Sequence, residues 1–138
     1  MSGLDFLDTN VLVYAYDLSD PRKQQIARDL LRQALRGQSV LSAQVLSEFA
    51  ATLLHKLRPP AERAAIETLL DALGPIRLVL TDGDTVRRAV EVHHRYGVHF
   101  YDGMIVAAAE KAGCKRIWSE DLNPGQQYFG ITVENPFS

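Results

Sequence analysis

One cysteine, Cys114, occurs in 138 residues, so no disulfide can form within the chain, and this usage fits a reducing compartment. No apolar run approaches the roughly 18 residues of a membrane-spanning helix. No basic stretch followed by an apolar one opens the sequence, so a cytoplasmic protein without membrane association is expected. Charge of one sign is also missing. The 15 Lys and Arg stand against 17 Asp and Glu, a formal net charge of −2, which gives no basic excess of the kind that advertises a nucleic-acid binder. A nuclease that spends carboxylates on cations is still allowed, because a bound cation reverses the local sign. Repeats, low-complexity segments and linkers are absent, so residues 1–138 are read as one domain. A domain of this size can hold a core without metal or disulfide staples.

What is present alternates between two periods. Short apolar runs end at small polar residues, and each is followed by a helical pattern. Leu4–Asp8 reads as a buried strand that ends in Asp8-Thr9-Asn10. A short helix over Val11–Tyr16 follows, capped by Thr9 or Asn10. Asp20 at N-cap and Pro21 at N1 start a helix that runs to about Arg36 and stops at Gly37. Further strands are expected at Gln38–Leu41, Ile76–Leu80, Arg116–Ser119 and Ile131–Glu134. Further helices are expected from Ala43 to about Leu57, from Ala61 to about Leu73, from Asp82 to about Tyr96, and from Phe100 to Gly113. Strand alternating with helix predicts an α/β fold with a mainly parallel sheet.

Four acids stand where strands give way to loops or helices begin: Asp8, Glu48, Asp102 and Asp121. Each has a structural explanation on its own. Asp8 can cap a helix, Asp102 can complement a helix dipole, Glu48 can be solvated, and Asp121 can be a loop residue. In an open α/β sheet, however, the C-terminal edge of the strands is where ligands bind, and all four can reach that edge. Like charges 4 Å apart at an effective dielectric near 20 repel by about 4 kcal/mol. Carboxylates gathered there must be protonated or neutralised, and oxygen ligands without His or Cys suit Mg²⁺ or Mn²⁺. The His93, His94 and His99 group is not read as a metal site, since adjacent helical positions diverge by about 100°. Cys114 and Trp118 are read as packing residues. Asp5 is read as an edge residue or as a hydrogen-bond acceptor behind the acids. Arg28, Arg32 and Arg36, with Arg87, Arg88 and Arg95, are read as solvated helix charges.

The segments around the four acids carry a resemblance. Phe6-Leu7-Asp8-Thr9-Asn10-Val11-Leu12-Val13-Tyr14 is similar to the opening motif of PIN-domain ribonucleases, and Val45-Leu46-Ser47-Glu48-Phe49 to their second acidic motif. Tyr101-Asp102-Gly103-Met104-Ile105-Val106-Ala107-Ala108-Ala109 resembles the third, and Trp118-Ser119-Glu120-Asp121-Leu122 the fourth, with Ser119 where Thr is usual. The resemblance extends to the Asn135-Pro136-Phe137 tail and is narrowest to VapC-type toxins of bacterial type II toxin–antitoxin pairs.

It implies a three-layer α/β/α sandwich and a Mg²⁺-dependent endoribonuclease, with Mn²⁺ as the alternative ion. Asp8, Asp102 and Asp121 would be metal ligands, and Glu48 would bind a second ion or orient the attacking water. Thr9, Asn10 and Ser119 would hold metal-coordinating waters or a phosphate. In-line attack on RNA would leave 3′-hydroxyl and 5′-phosphate ends. A homodimer and a cognate antitoxin are implied as well, the latter clamped by the helical hairpin from Ala43 to Leu73. The alternatives are a PIN-fold RNA-processing nuclease and a non-catalytic PIN-fold interaction module. A receiver-like phosphotransfer domain fits less well, because Asp5 and Asp8 are not adjacent and Lys115 precedes its strand.

Overall fold

The strand β1 (Leu4–Leu7) lies at the middle of the sheet, and Asp5, Phe6 and Leu7 are all buried in it. The computed structural model to which it belongs describes residues 3–138. After β1 come α1 (Thr9–Tyr16), α2 (Pro21–Leu35), β2 (Ser39–Ser42), α3 (Ala43–His55) and α4 (Arg63–Leu73). The chain continues through β3 (Arg77–Val79), α5 (Gly83–Tyr96), α6 (Phe100–Lys111), β4 (Cys114–Trp118), β5 (Gln127–Tyr128) and β6 (Ile131–Glu134). Strand order is β3-β2-β1-β4-β6-β5, parallel throughout except for β5 against β6. The short β5 is the one strand that the sequence pattern does not announce. It holds two residues and is defined by its pairing with β6 rather than by any alternation of its own.

The topology places the helices in two layers. From β1 the chain steps outward to β2 and β3, and then returns across the sheet to β4. Right-handed crossovers put α1 to α4 on one face and α5 with α6 on the other. Packing agrees, since α1 lies against α2 and α3 whereas α5 lies against α6. This is the expected α/β/α sandwich. Strands β1 and β4 are neighbours whose connections leave toward opposite faces, which makes the gap at their C-terminal ends the topological switch point.

Local signals set the element ends. The Asp20, Ser42 and Asp82 side chains each accept a hydrogen bond from the backbone N–H three residues on, at Lys23, Val45 and Thr85. Gly97 and Gly113 follow α5 and α6 with φ of 73° and 76°, the left-handed conformation that glycine adopts without strain. The helix α6 presents Gly103, Met104, Ile105, Val106, Ala107, Ala108 and Ala109, all buried. A Cβ at Gly103 would lie 2.7 Å from the carbonyl oxygen of Ala89, so this glycine lets α5 and α6 approach closely.

Three apolar positions expected inside are exposed: Leu35, Leu54 and Ala65. In α4 only Ile66 is buried, and Leu69, Leu70 and Leu73 are half-buried. This helix sits at the periphery because its main packing partner is α3. Among the described residues no helix is long and apolar enough to cross a membrane.

Candidate active site

Asp8 follows β1 and caps α1 itself, one or two positions earlier than the Thr9 or Asn10 cap that the pattern suggests. Its Oδ1 accepts from the Thr9 N–H at 2.7 Å, and its Oδ2 accepts from the Ser119 hydroxyl at 2.8 Å. Its backbone N–H donates to the Trp118 carbonyl at 3.1 Å, tying the ends of β1 and β4 together at the switch point. Only 8% of Asp8 is exposed. Burial pushes its carboxyl up from the ordinary 3.8 to about 6, against the two hydrogen bonds that pull it down. The charges of Glu48 and Asp121 push it up further.

The other acids arrive from three further elements. Glu48 lies on the exposed side of α3, where its Oε1 accepts from Gln44 Nε2 at 3.1 Å and from the Thr9 hydroxyl at 3.4 Å. Gln44 also donates to the Tyr101 carbonyl at 3.2 Å, linking α3 to the start of α6. Asp102 occupies the first turn of α6 and is half-buried. Its carboxyl is raised by burial; the neighbouring His99 lowers it and Asp121 raises it. Asp121 follows β4 and is exposed, with Oδ2 accepting from Asn10 Nδ2 at 3.4 Å.

Ser119 is the hub of this arrangement. It is fully buried, its hydroxyl donates to Asp8, and the same oxygen accepts from the Asp121 and Leu122 N–H groups, each at 3.1 Å. A hydroxyl committed in this way positions Asp8 and shapes the loop after β4; it does not face the pocket to hold a water or phosphate. Asn10 completes the frame by accepting from the Glu120 N–H at 3.2 Å.

The structure therefore links Asp8, Glu48 and Asp121 through Thr9, Asn10 and Ser119, and sets Asp102 within electrostatic range of Asp121. Among the described residues no three Asp, Glu, His or Cys side chains stand close enough to enclose one ion. The donor set nevertheless fits a hard divalent cation. It is all oxygen, and Mg²⁺ usually takes one or two carboxylates with waters and substrate phosphates completing its octahedron.

A model of the PIN domain matches residues 6–127. The chain belongs to the PIN domain family. No curated protein matches it in sequence. Solved structures share its fold. A toxin–antitoxin complex from Klebsiella pneumoniae is 17% identical with a TM-score of 0.69, covering 96% of this chain and 98% of that one. VapC20 of Mycobacterium tuberculosis, a sarcin–ricin loop cleaving toxin, is 22% identical with a TM-score of 0.66, covering 86% and 91%. A DNA-bound VapBC from Salmonella typhimurium is 16% identical with a TM-score of 0.69, covering 97% and 98%.

Other features of this PIN domain fall into place around the site. Asp5 accepts from Arg116 Nη2 at 2.9 Å and from the Trp118 indole at 3.1 Å, so it secures β1 to β4 beneath the acids. Trp118 is half-buried and lies under the Arg116 guanidinium, less enclosed than a core residue. Burial pushes the Cys114 thiol up to about 12, and the charge of Asp5 adds to this; such a thiol packs and does not react. The histidines are dispersed. His93 Nδ1 meets the Val98 carbonyl at 2.6 Å, and His99 caps α6.

Sequence reasoning missed Gln44, whose only signal is its i−4 spacing from Glu48. It also missed a clamp on the loop after β4, where Glu120 is held by Tyr14 Oη at 2.6 Å and by Lys23 Nζ at 2.6 Å. A trough of about 660 Å³ between α1 and α3 opens beside Thr9, Glu48 and Asp121. A separate apolar groove of about 630 Å³ runs between α2 and the α3–α4 hairpin, lined by Leu12, Leu31, Phe49, Leu57, Leu69 and Leu73 among others.

Proposed function

We propose that this PIN domain is a Mg²⁺-dependent endoribonuclease and the toxin of a type II toxin–antitoxin pair. The observation that carries the reading is the position of Asp8. A buried carboxyl, pushed up to about 6 and facing two further acids, sits at the switch point of a parallel sheet. That is an arrangement which a cation would relieve. Likeness to toxin–antitoxin structures adds support. Asp8 and Asp102 would hold the ion directly and Asp121 through water; when bound it would supply charge neutralisation at the scissile phosphate and lower the pKa of an attacking water.

The chain's own residues do the rest. Thr9 N–H and the Ser119 hydroxyl fix the Asp8 carboxylate in one orientation. Gln44 and Thr9 engage Glu48 Oε1, which leaves Oε2 to orient the water and accept its proton. In-line attack then yields a 3′-hydroxyl and a 5′-phosphate. The apolar groove against the α3–α4 hairpin is the proposed seat of the antitoxin. A homodimer belongs to the same reading, and light scattering of the isolated protein measures it.

The test is cleavage of total bacterial RNA by purified wild-type, Asp8→Asn and Asp102→Asn proteins, with Mg²⁺ and with EDTA. Metal-dependent products from the wild type alone are expected. Cleavage that survives EDTA or either substitution refutes the proposed site.

A further inference from the structure

The trough between α1 and α3 has a chemical gradient that the cleavage site does not require. One end opens on Thr9, Asn10, Glu48 and Asp121, and the other on His55 and Lys56, with Val13, Ala51 and Thr52 between. Glu48, Thr52 and His55 are spaced i, i+4 and i+7 along α3, and Lys56 follows at i+8 as its C-cap, so the four fall along one stripe. Eight residues at 1.5 Å rise separate its acidic end from its basic end by about 12 Å.

Several other cations of the chain are already engaged. Lys23, Arg88, Lys111 and Arg116 each hold a carboxylate at 2.9 Å or less. His55 and Lys56 are exposed, and among the described residues neither side chain has an ion pair or hydrogen bond. The helix dipole favours cations in a last turn, but it does not select the face of α3 that carries Glu48.

Two further acids line the same trough. Glu120 is neutralised by Lys23, and Asp17 accepts from the Ser19 N–H at 2.9 Å. The volume lies within the range of about 300–1,000 Å³ typical of ligand pockets.

We propose that this trough is a track for single-stranded RNA, in which Lys56, with His55 beside it, binds a backbone phosphate a few nucleotides from the cut. The assignment rests on the nuclease reading above. It makes Lys56 and His55 positioning residues that seat the strand across the acids and read no sequence.

The experiment measures binding of a fluorescent mixed-sequence oligoribonucleotide by anisotropy over a salt series, with Ca²⁺ replacing Mg²⁺. For single strands, each phosphate contact contributes about 0.7 to the slope of log K against log salt. Lys56→Met should reduce the slope by about 0.7, equally for purine-rich and pyrimidine-rich probes, and Lys56→Arg should retain it. His55→Ala should weaken binding. Lys115→Met, at the opposite end of β4, should leave the slope unchanged and serves as control. A wild type that binds and cleaves RNA, with a Lys56→Met slope equal to its own, overturns the trough assignment alone. A wild type that neither binds nor cleaves RNA overturns the nuclease reading and the trough together.

Discussion

Asp8 makes the stability of this protein fall as pH rises. Its carboxyl titrates at 3.8 when the chain is unfolded and at about 6 when folded. Between those values the folded state binds the extra proton, so folding is favoured at the acid end, and that contribution is lost as pH passes through about 6. At about 1.4 kcal/mol per pH unit the full effect is about 3 kcal/mol.

Asp8→Asn removes the titration. It also replaces an acceptor of two hydrogen bonds with a group that can accept only one of them well, because the Ser119 oxygen is already occupied by the Asp121 and Leu122 N–H groups. That loss costs about 1 kcal/mol. In EDTA the variant should therefore be less stable than wild type by about 1 kcal/mol below pH 4 and more stable by about 2 kcal/mol above pH 6. Urea unfolding followed by circular dichroism across that range gives the difference directly. The opposite pH trend from Asp82, held low by Lys111 and Thr85, cancels between the two proteins. Mg²⁺ at about 100 times its Kd should add about 2.7 kcal/mol to wild type and much less to the variant. A wild-type-minus-variant difference that stays constant between pH 4 and 6 refutes the account of Asp8.

Other perturbations test the frame that carries the acids. Ser42→Ala removes the N-cap bond to Val45 at the start of α3 and should cost about 1 kcal/mol in denaturant unfolding. Gly103→Ala drives a Cβ into the Ala89 carbonyl and should destabilise by about 1–3 kcal/mol; because Asp102 is adjacent, it should also weaken the Mg²⁺-induced rise in melting temperature. Asp5→Ala frees Arg116 and the Trp118 indole and should cost about 1–3 kcal/mol, with a Mg²⁺-induced rise equal to that of wild type. A smaller rise for Asp5→Ala would place Asp5 in the metal site.

Much of the fold lies in local chemistry. Asp20 before Pro21, Ser42 before the α3 stripe, and the glycines after α5 and α6 act over a few residues, so their effects can be read along the chain. Alternation of strand and helix determines a parallel sheet, and a parallel sheet determines the edge at which acids matter. Asp8, Glu48, Asp102 and Asp121 were legible for that reason as acids able to reach that edge. Only the tertiary structure shows what each touches. Burial, which depends on the β1–β4 contact, raises Asp8, and β4 turns Ser119 inward to hold it. The Glu120 clamp joins residues 97 and 106 positions apart in sequence, and the β5 pairing is fixed by its partner. The trough belongs to two helices that meet only after the sheet has aligned them. Local propensity is a property of neighbouring residues, whereas burial, charge coupling and cavity shape are properties of distant ones brought together, and these required the folded chain.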